Sequence, residues 1–230
     1  MAENINAEEL ARNAQLRREI EEHITRRFAA EDEVLRQTLA AQDKAGLPDI
    51  QISPIQGRLL QVLAAANNTQ KILEIGALGG YSGTWLARAL PASGKLITLE
   101  IDAKHAEVVR AAFARAGLAD RTEVRVGSAP ELLPALQSEA PFDFFFIDAN
   151  KDGYPTYLDW AVKLSRPGSI IVADNNVRYG KPFEEPPPDE GNAGVAAYNR
   201  RAATDPRLRS ILLAIDEDGM DGFAISVVLP

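Results

Sequence analysis

From Lys71 onward the chain alternates short apolar runs with helical segments of about ten residues, and few architectures accept that pattern. The runs are "KILEIG", "KLITLE", "TEVRVG", "FDFFFIDA" and "SIIVAD". Between them lie "YSGTWLARAL", "AKHAEVVRAAFARAG" ending at Gly117, "APELLPALQ" and "YPTYLDWAVKL". Repeated units of this kind predict right-handed crossovers and a parallel sheet covered by helices on both faces. The sequence Phe144-Phe145-Phe146-Ile147 agrees, because a strand buried on both sides is apolar at every position rather than at alternate ones. The C-terminal "LRSILLAIDEDGMDGFAISVVLP" reads differently, as an antiparallel hairpin around a short acidic turn. Toward the N-terminus, Leu10, Leu16, Ile20, Ile24 and Phe28 recur at helical spacing, as do Val34, Leu35 and Leu39, until Gly46 and Pro48. Ser53 and Pro54 suit the start of a further helix. The segment Arg178 to Asn192, with prolines at 182, 186, 187 and 188, is expected to be a long surface loop. The expected organisation is a single α/β domain over 1–230, with a helical extension at 1–49 and the core at 50–230.

Charge and composition narrow the partners. The net charge of −8 opposes a non-specific grip on nucleic acid. No apolar run reaches the roughly 20 residues of a membrane span. The absence of cysteine excludes disulfides, thiolate metal sites and cysteine nucleophiles. A cytoplasmic protein is expected; the arginines near the N-terminus leave a mitochondrial address as the alternative, against which Glu3, Glu8 and Glu9 argue.

In an open α/β sheet, ligands bind outside the carboxyl ends of the strands, and each strand here ends in chemistry. The first ends "LEIGALGGYSG", whose glycines permit a tight turn and close approach of a ligand to backbone. Leu78 breaks the G-x-G-x-x-G spacing of a dinucleotide site. Glu74 is an acid inside an apolar strand and needs a partner; a ligand ammonium would serve, and so would the amides of the glycine turn. Glu100, ending the second strand, is placed to accept the hydroxyls of a ribose, with Asp102 as the alternative. The fourth strand ends "IDANK" and the fifth "VADNN". Asp148, Asp174 and Asn175 would then converge as three hard oxygen ligands suited to magnesium or a similar divalent cation. Each acid alone could instead cap the following segment. Lys151 follows Asp148 closely, and a desolvated lysine beside a cation is a candidate base. His23 and His105 read as surface residues of helices.

These stretches, with "LITLEID", "FIDANKDGYPTYLDWA", "RPGSIIVADNN" and "IQISPIQGRLLQVL", resemble the cation-dependent class I S-adenosylmethionine O-methyltransferases, the caffeoyl-CoA and catechol O-methyltransferase group, from about Ile50 to Pro230. The resemblance implies a Rossmann-like, mostly parallel sheet of seven strands with the last antiparallel. It implies methyl transfer from S-adenosylmethionine to one oxygen of a vicinal dihydroxy aromatic such as a catechol or flavonoid. It implies Glu74, Gly76, Ser82, Glu100, Ala129 and Asp148 at the cofactor, Asp148, Asp174 and Asn175 at Mg2+, Lys151 as base beside Asp148, and a homodimer. Asn150 departs from the commoner "IDADK", and Asn176 and Arg178 stand where apolar and aromatic residues are frequent. Three other readings are a nicotinamide-dependent oxidoreductase, against which Leu78 and Glu74 speak, a non-catalytic cofactor-binding interaction protein, against which Lys151 and the metal-ligand set speak, and a metal that serves only structure.

Overall fold

The structure is a computed structural model and describes residues 7–215 and 220–230. The acidic turn expected at 216–219 lies outside the described residues, as do Glu3 and the side chains of Glu8 and Leu10. In chain order the elements are α1 (Ala7–Phe28), α2 (Glu33–Lys44), α3 (Pro54–Ala66), β1 (Lys71–Ile75), α4 (Tyr81–Ala87), β2 (Lys95–Glu100), α5 (Ala103–Arg115), β3 (Thr122–Val126), α6 (Ala129–Leu132), β4 (Phe142–Ile147), α7 (Tyr154–Leu164), β5 (Ser165–Ala173), α8 (Glu190–Thr204), β6 (Leu208–Ala214) and β7 (Gly222–Val228). Local signals set several boundaries. Ser53 and Gln56 form a reciprocal capping box at the start of α3, with Pro54 in its first turn. Asp102 caps α5 through the amides of Lys104 and His105.

The strands form one seven-stranded sheet in the order β3-β2-β1-β4-β5-β7-β6. All neighbours from β3 to β5 pair in parallel, whereas β7 runs antiparallel to both β5 and β6. The sheet is therefore mostly parallel with its antiparallel partner at the C-terminus, the Rossmann-like arrangement. Both faces are packed. Phe144, Phe146, Ile72, Val172 and Phe223 point to one side, against α3, α4 and α5. Leu73, Ile75, Phe145, Ile147, Ile171 and Ala224 point to the other, against α7 and α8. Every residue of β4 is buried, as its continuous apolar run requires.

Two differences from the sequence reading matter. The proline-rich segment is not a loop throughout: a 3₁₀ segment spans Arg178–Phe183, and helix α8 begins at Glu190, capped by Asp189. Helix α8 buries Val195, Ala196, Tyr198 and Ala202 on the sheet. It also approaches a short 3₁₀ turn at Lys151–Gly153 so closely that a Cβ on Gly194 would meet the Lys151 carbonyl oxygen at 2.3 Å.

Register fixes what the sheet presents at its carboxyl edge. Ile75 is level with Leu99 on one side and Ile147 on the other, and Ile147 is level with Ala173. The next residues, Glu100, Gly76, Asp148 and Asp174, therefore form a row across four adjacent strands. The chain crosses outward from β1 to β2 and β3, then returns to β4 and β5, so this row straddles the topological switch point between β1 and β4, where open α/β sheets bind ligands.

Candidate functional site

A cleft of about 740 Å³ opens along this edge. Gly76, Glu100, Ala129, Asp148, Lys151 and Asn175 line it. Ser82 lines a small adjoining recess with Gly76 and Asp148. Glu74 and Asp174 lie behind the walls rather than in them. The register thus brings all the sequence-predicted residues to one edge, in two layers.

The glycine turn is shaped by backbone contact. Gly76 has φ +94, and a Cβ there would stand 1.9 Å from the carbonyl oxygen of Asp148. Only glycine lets the first strand's turn and the fourth strand's turn come this close. Leu78, at φ +50, takes the left-handed conformation usually left to glycine, which marks the turn as over-determined by its surroundings. Those surroundings include Glu100, whose Oε2 accepts from the amides of Ala77 at 3.2 Å and Leu78 at 2.9 Å. Its Oε1 accepts from the Asp102 amide at 3.0 Å. Glu100 therefore supplies the bonds to the glycine-turn amides that the sequence left open for Glu74, while Asp102 is spent on the cap of α5.

Glu74 has a different partner. Its Oε1 accepts from the Ser82 hydroxyl at 2.6 Å, and its Oε2 is buried with no hydrogen-bond partner. Burial, only partly offset by the Ser82 hydroxyl, lifts its carboxyl to about 7. The folded protein then binds this proton more tightly than the unfolded chain does, so stability contributed by the neutral acid is present below pH 4.5 and is lost as pH rises through about 7. At pH 8 the ionised carboxylate costs on the order of 3 kcal/mol. Glu74→Gln removes the titration and leaves a burial cost that does not vary with pH. The expected result is that the variant gains stability relative to the natural protein between pH 5 and 8 in denaturant titrations without ligand; a difference that stays flat across that range would contradict the burial argument.

At the other half of the edge, Lys151 Nζ donates to Asp148 Oδ1 at 2.8 Å and to the Tyr154 hydroxyl at 2.7 Å. The Tyr154 hydroxyl donates onward to the Asp174 carbonyl at 2.8 Å. Burial, then the charge of Asp148, holds the Asp174 carboxyl well above the ordinary carboxylate range. Asn175, at φ +55, donates its side-chain amide to Asp221 Oδ2 at 3.0 Å. That bond assigns the amide orientation and leaves the Asn175 Oδ1 as an acceptor. Asp221 Oδ1 also accepts from the amides of Val177, Arg178 and Gly222.

A contrast on the same strand separates structural from chemical acids. Asp143, at the opposite end of β4, accepts from the amides of Gln70 and Lys71 and pairs with Arg166, so its charge is fully answered by the fold. Asp148 and Asp174 cap no helix. Among the described residues the Asp174 carboxyl accepts only from the amide of Asn175, and burial and then the charge of Asp148 oppose its ionised form. Asp148 and Asn175 line the cleft, and Asp174 lies near enough behind it for the Asp148 charge to act on its carboxyl; two acids and an amide oxygen are a donor set that suits a hard divalent cation. Among the described residues no three His, Cys, Asp or Glu side chains form a metal cluster, so any cation here depends on Asn175 as well.

Sequence reasoning missed Tyr154 and Asp221, which act across the fold. It also placed His105 on the surface, whereas its Nδ1 lies 3.8 Å from Glu100 Oε1 and its ring lines the cleft. His23 is exposed, as expected. No helix among the described residues is long and apolar enough to cross a membrane.

Comparison with known proteins agrees with this geometry. A profile of the family described as O-methyltransferase matches residues 25–224. A catechol O-methyltransferase of Niastella koreensis is 40% identical over 219 residues, covering 94% of this chain and 99% of the relative. One of Mycobacterium tuberculosis is 42% identical over 203 residues, covering 87% and 91%. The crystal structure of the Bacillus cereus O-methyltransferase in complex with SAH superposes with a TM-score of 0.89 at 39% identity, covering 94% of this chain and 99% of that one. The cleft at the switch point, its glycine turn and these matches together establish that the chain belongs to the O-methyltransferase family and is an S-adenosylmethionine-dependent enzyme.

Proposed function

We propose that the protein transfers the methyl group of S-adenosylmethionine to one oxygen of a vicinal dihydroxy aromatic, a catechol or flavonoid, in a reaction that requires Mg2+ or a similar divalent cation. The observation that carries this reading is the joining of Lys151, Asp148, Asn175 and Asp174 at the ends of β4 and β5, beside the glycine turn and Glu100. Two relatives named catechol O-methyltransferase support the acceptor class.

In this reading the cofactor lies along β1 and β2. Glu100 accepts the ribose hydroxyls, Gly76 and Ala129 let the backbone approach, and Ser82 presents its hydroxyl from above Glu74. Asp148, Asp174 and Asn175 would hold the cation, with Asp221 fixing the Asn175 amide. A bound divalent cation supplies charge that favours the ionised form of an adjacent hydroxyl. A phenol has a pKa near 10, so its proton must be drawn off for attack at neutral pH. Lys151 is the residue placed to take it, with its Nζ held toward Asp148 by the buried Tyr154 hydroxyl. The remaining barrier falls through alignment: the cleft walls fix the acceptor oxygen in line with the methyl carbon and sulfur, an effect worth roughly 7 kcal/mol or more in well-oriented systems.

The test is incubation with isotopically labelled S-adenosylmethionine and catechol. The expected product is mono-methylated catechol. Label transfer to neither oxygen in the presence of Mg2+ would reject the reading.

We also infer a cytoplasmic protein, organised as a single catalytic unit with residues 1–49 as an extension of the 50–230 core, and a homodimer. What supports the dimer is α1, where Leu16, Ile20, Ile24 and Phe28 form a stripe with exposures of 51%, 50%, 39% and 68%, an apolar surface that water alone covers poorly. Light scattering should give twice the chain mass, and Ile20→Glu should shift it toward the monomer; a monomer for the natural protein would contradict this.

A further inference from the structure

At the β5 end of the cleft stands a cation that none of the roles above uses. Arg178 lines the same cleft as Lys151 and Asn175. Glu100, the ribose-side carboxylate, sits on β2, three strand spacings or about 14 Å from β5 across the sheet edge. Arg178 is held from two sides. Its amide donates to Asp221 Oδ1 at 2.9 Å, and its backbone adopts φ +45, a conformation non-glycine residues occupy at a cost. Its Nε donates to Asn192 Oδ1 at 2.9 Å. Asn192 is fully buried and is itself clamped by Asp189, through its amide at 2.7 Å and its side chain at 2.6 Å. The guanidinium plane is thus fixed by one edge, and the Nη groups remain available.

The acids nearby are bonded to other groups, although the Arg178 charge adds to the Asn192 bonds that hold Asp189 below the ordinary carboxylate range. Both Asp189 oxygens are engaged by Asn192, and Asp221 is engaged by three amides and the Asn175 side chain. Among the described residues no carboxylate is within ion-pair distance of Arg178, whereas the partly buried Arg88 and Arg125 are paired with acids; Arg58 and Arg121 also lack an acid, but neither lines this cleft. A fixed, half-buried guanidinium with free parallel donors is the arrangement that binds a carboxylate through two hydrogen bonds.

We propose that Arg178 is a specificity-determining residue that binds a carboxylate carried on the acceptor's ring substituent, so that the enzyme selects acidic catechols over neutral ones. The inference rests on the diol reading of the site and adds the charge of the acceptor to it. The interaction is made to a part of the molecule remote from the reacting oxygen. It should lower KM and leave kcat nearly unchanged, because substrate and transition state gain equally.

The experiment compares 3,4-dihydroxybenzoate, 3,4-dihydroxyphenylacetate and 3-(3,4-dihydroxyphenyl)propanoate with their methyl esters and with unsubstituted catechol, in the natural protein and in Arg178→Asn and Arg178→Lys. Asparagine tolerates positive φ, so the first variant removes the guanidinium without adding backbone strain. At least one acid should show a KM about 10–100-fold below that of its ester, the scale of a charge-assisted hydrogen bond. Arg178→Asn should erase that ratio while leaving the esters and catechol within about threefold, and Arg178→Lys should restore part of it. Equal KM values for every acid and its ester in the natural protein would overturn the proposal. So would an Arg178→Asn variant that loses acids and esters alike, since Arg178 would then only brace α8. Turnover of catechol and esters with no preference for any acid would sink this inference and spare the diol reading, whereas no turnover of any diol would sink both.

Discussion

Lys151→Ala should lower turnover by about 10²–10⁴, the range for loss of a positioned general base, while the affinity for S-adenosylmethionine stays nearly unchanged. Among the described residues the hydrogen bonds of Lys151 Nζ go to Asp148 Oδ1 and the Tyr154 hydroxyl, and its side chain is 15% exposed, so truncation removes a group aimed into the cleft without opening the core. Lys151→Arg separates the two things a lysine could do there. Arginine keeps the positive charge but does not give up its proton at any accessible pH. If the residue takes the acceptor's proton, the arginine variant should be about as impaired as the alanine variant; if it supplies only charge, much of the activity should return. Steady-state rates with catechol across pH 6–9, paired with calorimetry of cofactor binding, decide the matter. Rates for Lys151→Ala within a few-fold of the natural protein throughout that range would leave Lys151 as a buried partner of Asp148 and nothing more.

Asp174→Ala should reduce methyl transfer to background, and it should do so without unfolding the protein. The Asp174 side chain is almost fully buried and its ionised form is opposed first by burial and then by Asp148. Removing it therefore relieves a repulsion in the ligand-free fold, and thermal unfolding should be unchanged or slightly later. Calorimetric titration of Mg2+ should show the loss directly, because a methyl group cannot donate an electron pair. Asp174→Asn should be milder, since a carbonyl oxygen remains and a charge does not. If Asp174→Ala kept normal activity and normal Mg2+ affinity, the strand-end pair would not be a metal site.

The parts of this protein legible in its sequence are those in which a local pattern and a global constraint coincide. Four consecutive apolar residues in β4 can be satisfied only inside a sheet covered on both faces, and the parallel register then carries Asp148, Asp174, Gly76 and Glu100 to one edge. The hairpin of β6 and β7 was equally visible, because its antiparallel pairing needs no crossover helix. Helix α8 was not. Its apolar face is made of Val195, Ala196, Tyr198 and Ala202, one large residue among smaller ones with a weak periodic signal, and it follows directly on a proline-rich stretch. The cap at Asp189 and the spacing of Val195, Tyr198 and Ala202 were the signals available. The roles of Asp221 and Tyr154 had no local signal at all. Asp221 lies 46 residues from Asn175, and only the pairing of β7 with β5 brings them together. Glu100 took a role that was open to Glu74 for a related reason: which of two acids reaches the glycine-turn amides depends on strand register and on the position of Ser82, neither of which the residue types alone determine.

The central claim is that the β4 and β5 strand ends organise two neighbouring oxygens of the acceptor. It is tested most directly by measuring initial rates of labelled methyl transfer to catechol and to phenol, each with Mg2+ and with excess chelator. On the proposed reading Asp148, Asp174 and Asn175 would offer three oxygen ligands, and an octahedral cation would leave about three positions for water or substrate, so a diol should be held at two points and a single hydroxyl at one. The account predicts rapid transfer to catechol, transfer to phenol lower by at least about 10²-fold, loss of the catechol rate in chelator and its return with added Mg2+. Equal rates for catechol and phenol, or a full catechol rate in chelator, would contradict it.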